Sequence, residues 1–457
     1  MIAPARTAAY EILTALSGGR ADLPTAIARA RARLPDERDR ALAAEIATGV
    51  ERWRAALDHR IAQVASRPLD RLDPEVVSIL RLSAYQILYL SRVPVSAVVD
   101  DGVNLAGRAG KRSAAGFVNA VLRGLSRRRE SLTLPPRPKD AADRDAALDY
   151  LSVTLSHPRW LAARWLERYG LDAAAAWMAF DNAPAPLTLR ANPLVLTRDE
   201  LAARLRDADV ETSQARFAPG GLVVEHGSPL AGEGIDRGWF VVQDEASQLV
   251  PLLAGRDPGA RVLDACASPG GKATAMAAAM RGPSLLVACD ARARRIDLLR
   301  RTVAASRATN IRIVQADARV ALPFSRPFDC VLVDAPCSGL GTLRRDPDIR
   351  WRRSEDELPG LAAAQLVMLQ RAAGVVAPGG RLVYATCSSE PDENEGVADA
   401  FLATTRGFTP LDARLAAPDL PAGLVDDRGY FRTCPHLHGL EAFFGAVFVR
   451  RGPAAEL

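Results

Sequence analysis

From Arg261 onward, short apolar runs alternate with helix-like stretches. The runs RVLDAC, SLLVACD, IRIVQAD, FDCVLVDAP and RLVYATC are separated by segments such as ARARRIDLLRRTVAAS and LAAAQLVMLQRAAGVV. Strands buried on both faces read as continuous apolar runs, and parallel strands need crossover helices between them. The C-terminal half is therefore predicted to be an open α/β sheet. Ligands in such sheets bind beyond the carboxyl ends of the strands, and the conspicuous residues of this chain stand there.

The first strand turns into a helix through DACASPGGK, Asp264 to Lys272, where two glycines let a ligand approach bare backbone at a helix N-terminus. This is neither G-x-G-x-x-G nor a Walker loop, so a dinucleotide or a nucleoside triphosphate is disfavoured. Asp290 follows Gly271 by 19 residues, the spacing at which a carboxylate reaches ribose hydroxyls in doubly wound folds. Asp317 and Asp334 close the next two runs. One such acid reads as a helix cap. Four successive strands ending in acids suit a nucleoside cofactor with hydroxyls and a positive centre, which S-adenosylmethionine has.

Cys337 and Cys387 each lie just past a strand end, among Pro, Ser and Gly, whereas Cys289 and Cys330 lie within strands and read as ordinary buried cysteines. Carbon 5 of a cytosine is too electron-poor to take a methyl group until a thiolate has added at carbon 6. The proton on carbon 5 must then be removed before the thiolate can leave. Two cysteines at one ligand edge can fill these two roles; spacing does not say which fills which.

A chain of 457 residues exceeds one ordinary core, so two or three domains are expected. A net charge of +5 permits a nucleic-acid partner without requiring one. No apolar run approaches a membrane helix and no secretory leader is read, so a cytoplasmic protein is expected. Six widely spaced cysteines without a C-x-x-C pair suggest neither a disulfide framework nor a zinc knuckle. Cys434, His436 and His438 lack a fourth ligand and are read as part of a substrate-side loop leading into a last strand, with no metal.

The first 130 or so residues read as wholly helical. Leu42, Ile46, Val50, Trp53, Leu57, Ile61 and Val64 draw one stripe along a single predicted helix from Asp36 to Ala65. Arg108 to Arg129 carries seven Lys/Arg and no acid, either a solvated face or a nucleic-acid surface. TLPPRPKDAADRDA reads as a linker. A mixed segment follows: a helix at SHPRWLAARWLERYG, strands at APLTLRANP, GGLVVEH and WFVVQDE, and a helix opened by a capping box of Thr197 with Glu200.

DACASPGGK, VDAPCSGLGTLRRDPDIRW and LVYATCSSEPDENE resemble the motifs of the Nop2/Sun family of RNA (cytosine-5) methyltransferases, and the N-terminal region with VNAVLRGL resembles the NusB-type RNA-binding fold. The combination resembles the branch acting on small-subunit ribosomal RNA, the methyltransferase B type, over essentially the whole chain. The resemblance implies a NusB-like all-helical domain over 1–133, a linker over 134–152, a small α+β RNA-recognition-like module over 153–245 and a Rossmann-like methyltransferase domain over 246–457. It implies that Cys266, Ala267, Ser268, Pro269, Gly270, Gly271 and Lys272, with Asp290, Asp317 and Asp334, hold S-adenosylmethionine. Cys387 would be the nucleophile and Cys337 would help release product. Arg127, Arg128, Arg129 and Arg350 are the expected RNA contacts, and a monomer is expected. The chain departs from the family pattern at Ser268, where Ala is usual, and at Ala273, where Thr is frequent. A non-catalytic antitermination protein and a tRNA cytosine-5 methyltransferase are the alternatives.

Overall fold

The computed structural model describes residues 2–140, 142–255 and 259–452. The chain forms two compact units, Met1–Ala183 with Leu343–Glu355, and Pro184–Thr342 with Asp356–Leu457. Among the described residues no helix is long and apolar enough to cross a membrane.

The first unit is helical. Its helices Pro4–Ser17, Leu23–Arg31, Glu37–Arg52, Arg54–Ala62, Pro74–Tyr89, Val95–Arg108 and Ala115–Arg128 surround one apolar core that includes Ile12, Ile46, Leu57, Leu80, Leu105 and Leu122. Proline opens two of these helices at a position that needs no N–H, and the Asp22 and Asp36 carboxylates cap two more. The single helix expected from Asp36 to Ala65 is two. Trp53 leaves helical geometry (φ −109°, ψ 19°), stacks on Tyr89 at 5.3 Å, and the freed N–H of Ala55 donates to Ser156 Oγ at 3.0 Å. The apolar stripe survives because the break keeps its phase.

The expected linker is helical from Arg144. The helix Arg159–Asn182 is interrupted at Gly170, whose φ of 76° only glycine adopts readily. Arg350, expected at RNA, belongs to the first unit's interior. It is 0% exposed, and its guanidinium donates to Ser156 O at 3.0 Å and Asn182 Oδ1 at 2.9 Å. An arginine so enclosed is not available to a phosphate. Burial lowers its pKa to about 10 and raises that of neighbouring Asp181 to about 8.

The second unit holds two sheets. Strands β1 (Leu187–Ala191), β2 (Glu211–Gln214), β3 (Gly221–His226) and β4 (Phe240–Val242) form an antiparallel sheet in the order β2-β3-β1-β4. The capping box at Thr197 and Glu200 opens the helix Arg198–Arg206 against it. The larger sheet comprises β5 (Arg261–Asp264), β6 (Leu285–Asp290), β7 (Ile311–Gln315), β8 (Phe328–Asp334), β9 (Val376–Thr386), β10 (Phe408–Leu411), β11 (Phe431–Arg432) and β12 (Phe444–Arg450). Its order is β10-β12-β9-β8-β5-β6-β7, with β11 on β12; β5 to β9 are mutually parallel, and β12 runs antiparallel between β9 and β10.

Successive residues of these strands supply two cores. Val262, Leu286, Cys330 and Val383 pack with Leu253 and Leu299 on one face; Leu263, Val287, Val331 and Leu382 pack with Leu369 and Phe401 on the other. Each such buried side chain contributes about 1.5–3 kcal/mol of transfer free energy, which fixes strand register and hence the height of every residue at the carboxyl edge.

Candidate active site

The strand order reverses between β5 and β8. The chain leaves β5 for β6 and β7 on one side and reaches β8 and β9 on the other, so the loops after β5 and β8 diverge and open a crevice. The loop after β5 is the glycine-bearing DACASPGGK. Gly270 has φ 115°, and a Cβ there would lie 3.0 Å from Leu299 Cδ1. Arg190 of β1 braces the turn from behind. Its buried guanidinium donates to Gln243 Oε1 at 2.8 Å and to both Gly271 O and Thr274 Oγ1 at 2.9 Å, and burial lowers its pKa to about 10.

The crevice is acidic. Asp264 is fully buried; burial first, and the Asp334 charge next, raise its pKa to about 7. Its Oδ1 accepts the N–H of Cys266 at 3.3 Å, while its buried Oδ2 has no hydrogen-bond partner among the described residues. Asp290, 6% exposed at the end of β6, accepts the Arg292 N–H at 3.2 Å and lies 3.8 Å from Arg295 Nε. Lys272 Nζ donates to Asp334 Oδ2 at 2.6 Å and lies 5.6 Å from the centre of the Phe443 ring. Burial works against the Lys272 charge, but Asp334 outweighs it and, with Cys387, holds the ammonium pKa above its ordinary value. Asp317 lies two residues beyond β7 rather than in it. Its carboxylate takes hydrogen bonds from Arg319, at 2.7 Å for the closest, and these hold its pKa low.

The two cysteines meet. They follow neighbouring parallel strands, β8 and β9, and their Sγ atoms lie 3.3 Å apart. The hydrogen bond to Cys387, then burial, then the charge of Cys387 hold the Cys337 thiol well above its usual range. Gly341, in the loop after Cys337, is held against backbone: a Cβ there would stand 2.8 Å from Cys387 O and 2.0 Å from Ala442 O. By contrast Cys289 and Cys330 are buried in the strands, with pKa values raised to about 12 by burial.

Residues 251–449 match the family described as 16S rRNA methyltransferase RsmB/F, residues 3–127 match the NusB family, and residues 157–231 match the ferredoxin-like domain of RsmF/B-type methyltransferases. The ribosomal RNA small subunit methyltransferase B of Pseudomonas putida is 36% identical over 89% of this chain and 91% of its own length. That of Xylella fastidiosa is 35% identical over 98% of both. The chain belongs to the RsmB/F methyltransferase family. Among solved structures, PH0851 matches 98% of this chain and 99% of its own with a TM-score of 0.80 at 24% identity, which is a likeness of fold. A methyltransferase homolog from Pyrococcus horikoshii, 25% identical, covers 67% of this chain and 99% of its own with a TM-score of 0.57.

The RsmB/F fold brings Cys266 to Lys272, Asp290 and Asp334 to one edge with Cys337 and Cys387. Arg127, Arg128 and Arg129 are exposed at the end of the helix Ala115–Arg128 in the other unit, without an ion-pair partner among the described residues. Of the other cations in that stretch, Arg108 pairs with Glu11 and Lys111 with Asp73. His438 Nδ1 accepts the Cys434 N–H at 2.9 Å, and among the described residues no group of three His, Cys, Asp or Glu could hold a metal. Sequence reasoning missed Arg190, whose only sign was a cation within a short apolar strand, and Glu393, one of several acids in EPDENE.

Proposed function

We propose that this chain transfers a methyl group from S-adenosylmethionine to carbon 5 of a cytosine in 16S ribosomal RNA, through a covalent bond between Cys387 and carbon 6. The observation that carries this reading is the pair of sulfurs 3.3 Å apart at the edge that also bears the acidic crevice. The names of the relatives, ribosomal RNA small subunit methyltransferase B, support the substrate. A cytoplasmic monomer fits such a substrate.

The crevice suits the cofactor. Asp264 Oδ2 is a buried acceptor without a hydrogen-bond partner among the described residues, Asp290 ends β6 where ribose hydroxyls lie in doubly wound folds, and the net acidity favours a cation. Asp264, Asp290 and Asp334, with the Cys266 to Lys272 loop, would hold it; Asp317, tied to Arg319, stands at the margin. When bound, S-adenosylmethionine supplies an electrophilic methyl group.

The cysteines do the rest. Addition of the Cys387 thiolate to carbon 6 pushes ring electrons to carbon 5, which can then accept a methyl group. Removal of the carbon 5 proton returns the electrons and expels the thiolate. Two of the three leading influences that keep Cys337 protonated, its hydrogen bond to Cys387 and the charge of Cys387, vanish once that sulfur is bonded to carbon. Cys337 then loses its proton to solvent more readily and, as a thiolate, takes the proton from carbon 5. The nucleophile thus withholds the second base until the adduct exists. Arg127, Arg128 and Arg129 contribute phosphate contacts that hold the RNA.

The test uses the full chain, a 16S ribosomal RNA transcript and S-adenosylmethionine. Cys337→Ala is expected to accumulate a protein–RNA adduct that survives denaturing gels, and Cys387→Ser to form neither adduct nor product. An adduct in Cys387→Ala with none in Cys337→Ala would reverse the two roles.

A further inference from the structure

Each of the two cysteines is followed by a serine, and both serines are tied to one carboxylate. Glu393, 0% exposed, accepts the backbone N–H of Ser338 at 2.8 Å on Oε1 and the hydroxyl of Ser388 at 2.6 Å on Oε2. The serine hydroxyls lie 3.1 Å from each other. Gln365 donates to Glu393 Oε1 at 2.8 Å and to the carbonyl of Pro336, the residue before Cys337, at 3.1 Å. Tyr384, inside β9, donates its one hydroxyl proton to the Glu393 carbonyl at 2.6 Å, with Gln365 Oε1 at 3.1 Å sharing it. Each loop therefore ends its strand on the same buried anchor.

We propose that Glu393 is the positioning residue of the two-cysteine site: its carboxylate bonds the residue after each cysteine and so fixes Cys337 against Cys387. The physical case rests on strength and reach. Hydrogen bonds to an ionised carboxylate are about twice as strong as neutral ones, and the two oxygens divide between the two loops, so neither loop shifts without breaking one. The carboxylate has a second effect through space, because its negative charge is among the causes that hold the Cys337 thiol above its usual range. Glu393 touches no reacting atom; it acts through the sulfurs. This proposal rests on the two-cysteine reading above, but holds whichever sulfur attacks.

The experiment is Glu393→Gln in the full chain, which keeps volume but removes the charge and one acceptor. With a 16S ribosomal RNA transcript and S-adenosylmethionine, kcat is expected to fall roughly a hundredfold, the loss typical of a reacting group displaced by about an ångström, with KM for RNA within about twofold of wild type. Without RNA or cofactor, the pH midpoint for alkylation of Cys337 by iodoacetamide, read by mass spectrometry, is expected to move down, because the anion that disfavours its thiolate is gone. Either a wild-type kcat or an unmoved Cys337 midpoint overturns the proposal. Reversed cysteine roles would change which variant traps RNA without moving that midpoint, so the two failures are separable. If Glu393→Gln fails to bind S-adenosylmethionine with wild-type affinity, Ser388→Ala takes its place: loss of the hydroxyl, which bonds Glu393 Oε2, Ser338 Oγ and the Glu390 N–H, is expected to lower kcat at least about fivefold, and a wild-type kcat in that variant overturns the proposal.

Discussion

Replacing Asp264 by asparagine tests the acidic crevice through its pH dependence. The carboxyl is fully buried at the end of β5, where burial and the Asp334 charge raise its pKa to about 7 from 3.8. Between those two values the native chain holds a proton that the unfolded chain has lost. Native therefore binds more protons than unfolded, and stability falls as pH rises through that window. From pH 5 to pH 8 only the two units below the folded pKa count, at about 1.36 kcal/mol each, so this group removes on the order of 3 kcal/mol of stability. A side-chain amide does not titrate, so Asp264→Asn lacks this loss and gains about that much relative to wild type over the same span. Because a chain of two units need not unfold in one step, the assay is hydrogen exchange of the β5 peptide, corrected for intrinsic rates, at both pH values. A change between pH 5 and pH 8 that agrees in wild type and variant within about 0.5 kcal/mol would refute the assignment of a raised pKa to Asp264.

Two further outcomes are expected. Asp290→Ala should weaken S-adenosylmethionine binding about ten- to a hundredfold, the worth of charge-assisted hydrogen bonds to ribose hydroxyls; calorimetry showing wild-type affinity in the folded variant would exclude that role. Neutral replacement of Arg127, Arg128 and Arg129 should flatten the dependence of log affinity for 16S ribosomal RNA on log salt by up to about 0.7–0.9 for each phosphate no longer neutralised, and an unaltered slope would remove these arginines from the RNA interface.

The parallel sheet was legible because its strands are buried on both faces, and continuous apolar runs such as FDCVLVDAP leave little else to read. Three strands escaped. β2 is the polar, largely exposed ETSQ, β11 has only two residues, and β10 carries a proline, so none shows a usable period. The opposite error occurred at Trp53, where an unbroken apolar stripe concealed a change of helix, since a turn that keeps phase leaves the pattern intact. At the site, Cys337 and Cys387 were visible from their place past strand ends, but their 3.3 Å separation was not, because it depends on the register of β8 against β9. Arg350 misled for a related reason: charge is written in the sequence, whereas burial against Ser156 and Asn182 is set by chain segments far away.

The excursion of Leu343–Glu355 bears on how such a chain can be divided or recombined. Shortly after Cys337 the chain passes from one compact unit into the other, and it returns only at Asp356. Residues in this detour bond to groups of the helical unit: Arg350 donates to Ser156 O, Trp351 Nε1 donates to Glu51 O at 2.6 Å, and Asp348 accepts the Leu23 N–H at 3.2 Å. A fragment cut at the Pro184 boundary would carry the detour without the groups that satisfy it, leaving an arginine, an indole and an aspartate to find new partners in water. The boundary is therefore sequential for most of the chain but not topological, and exchange of the N-terminal region between relatives must bring its own copy of the detour.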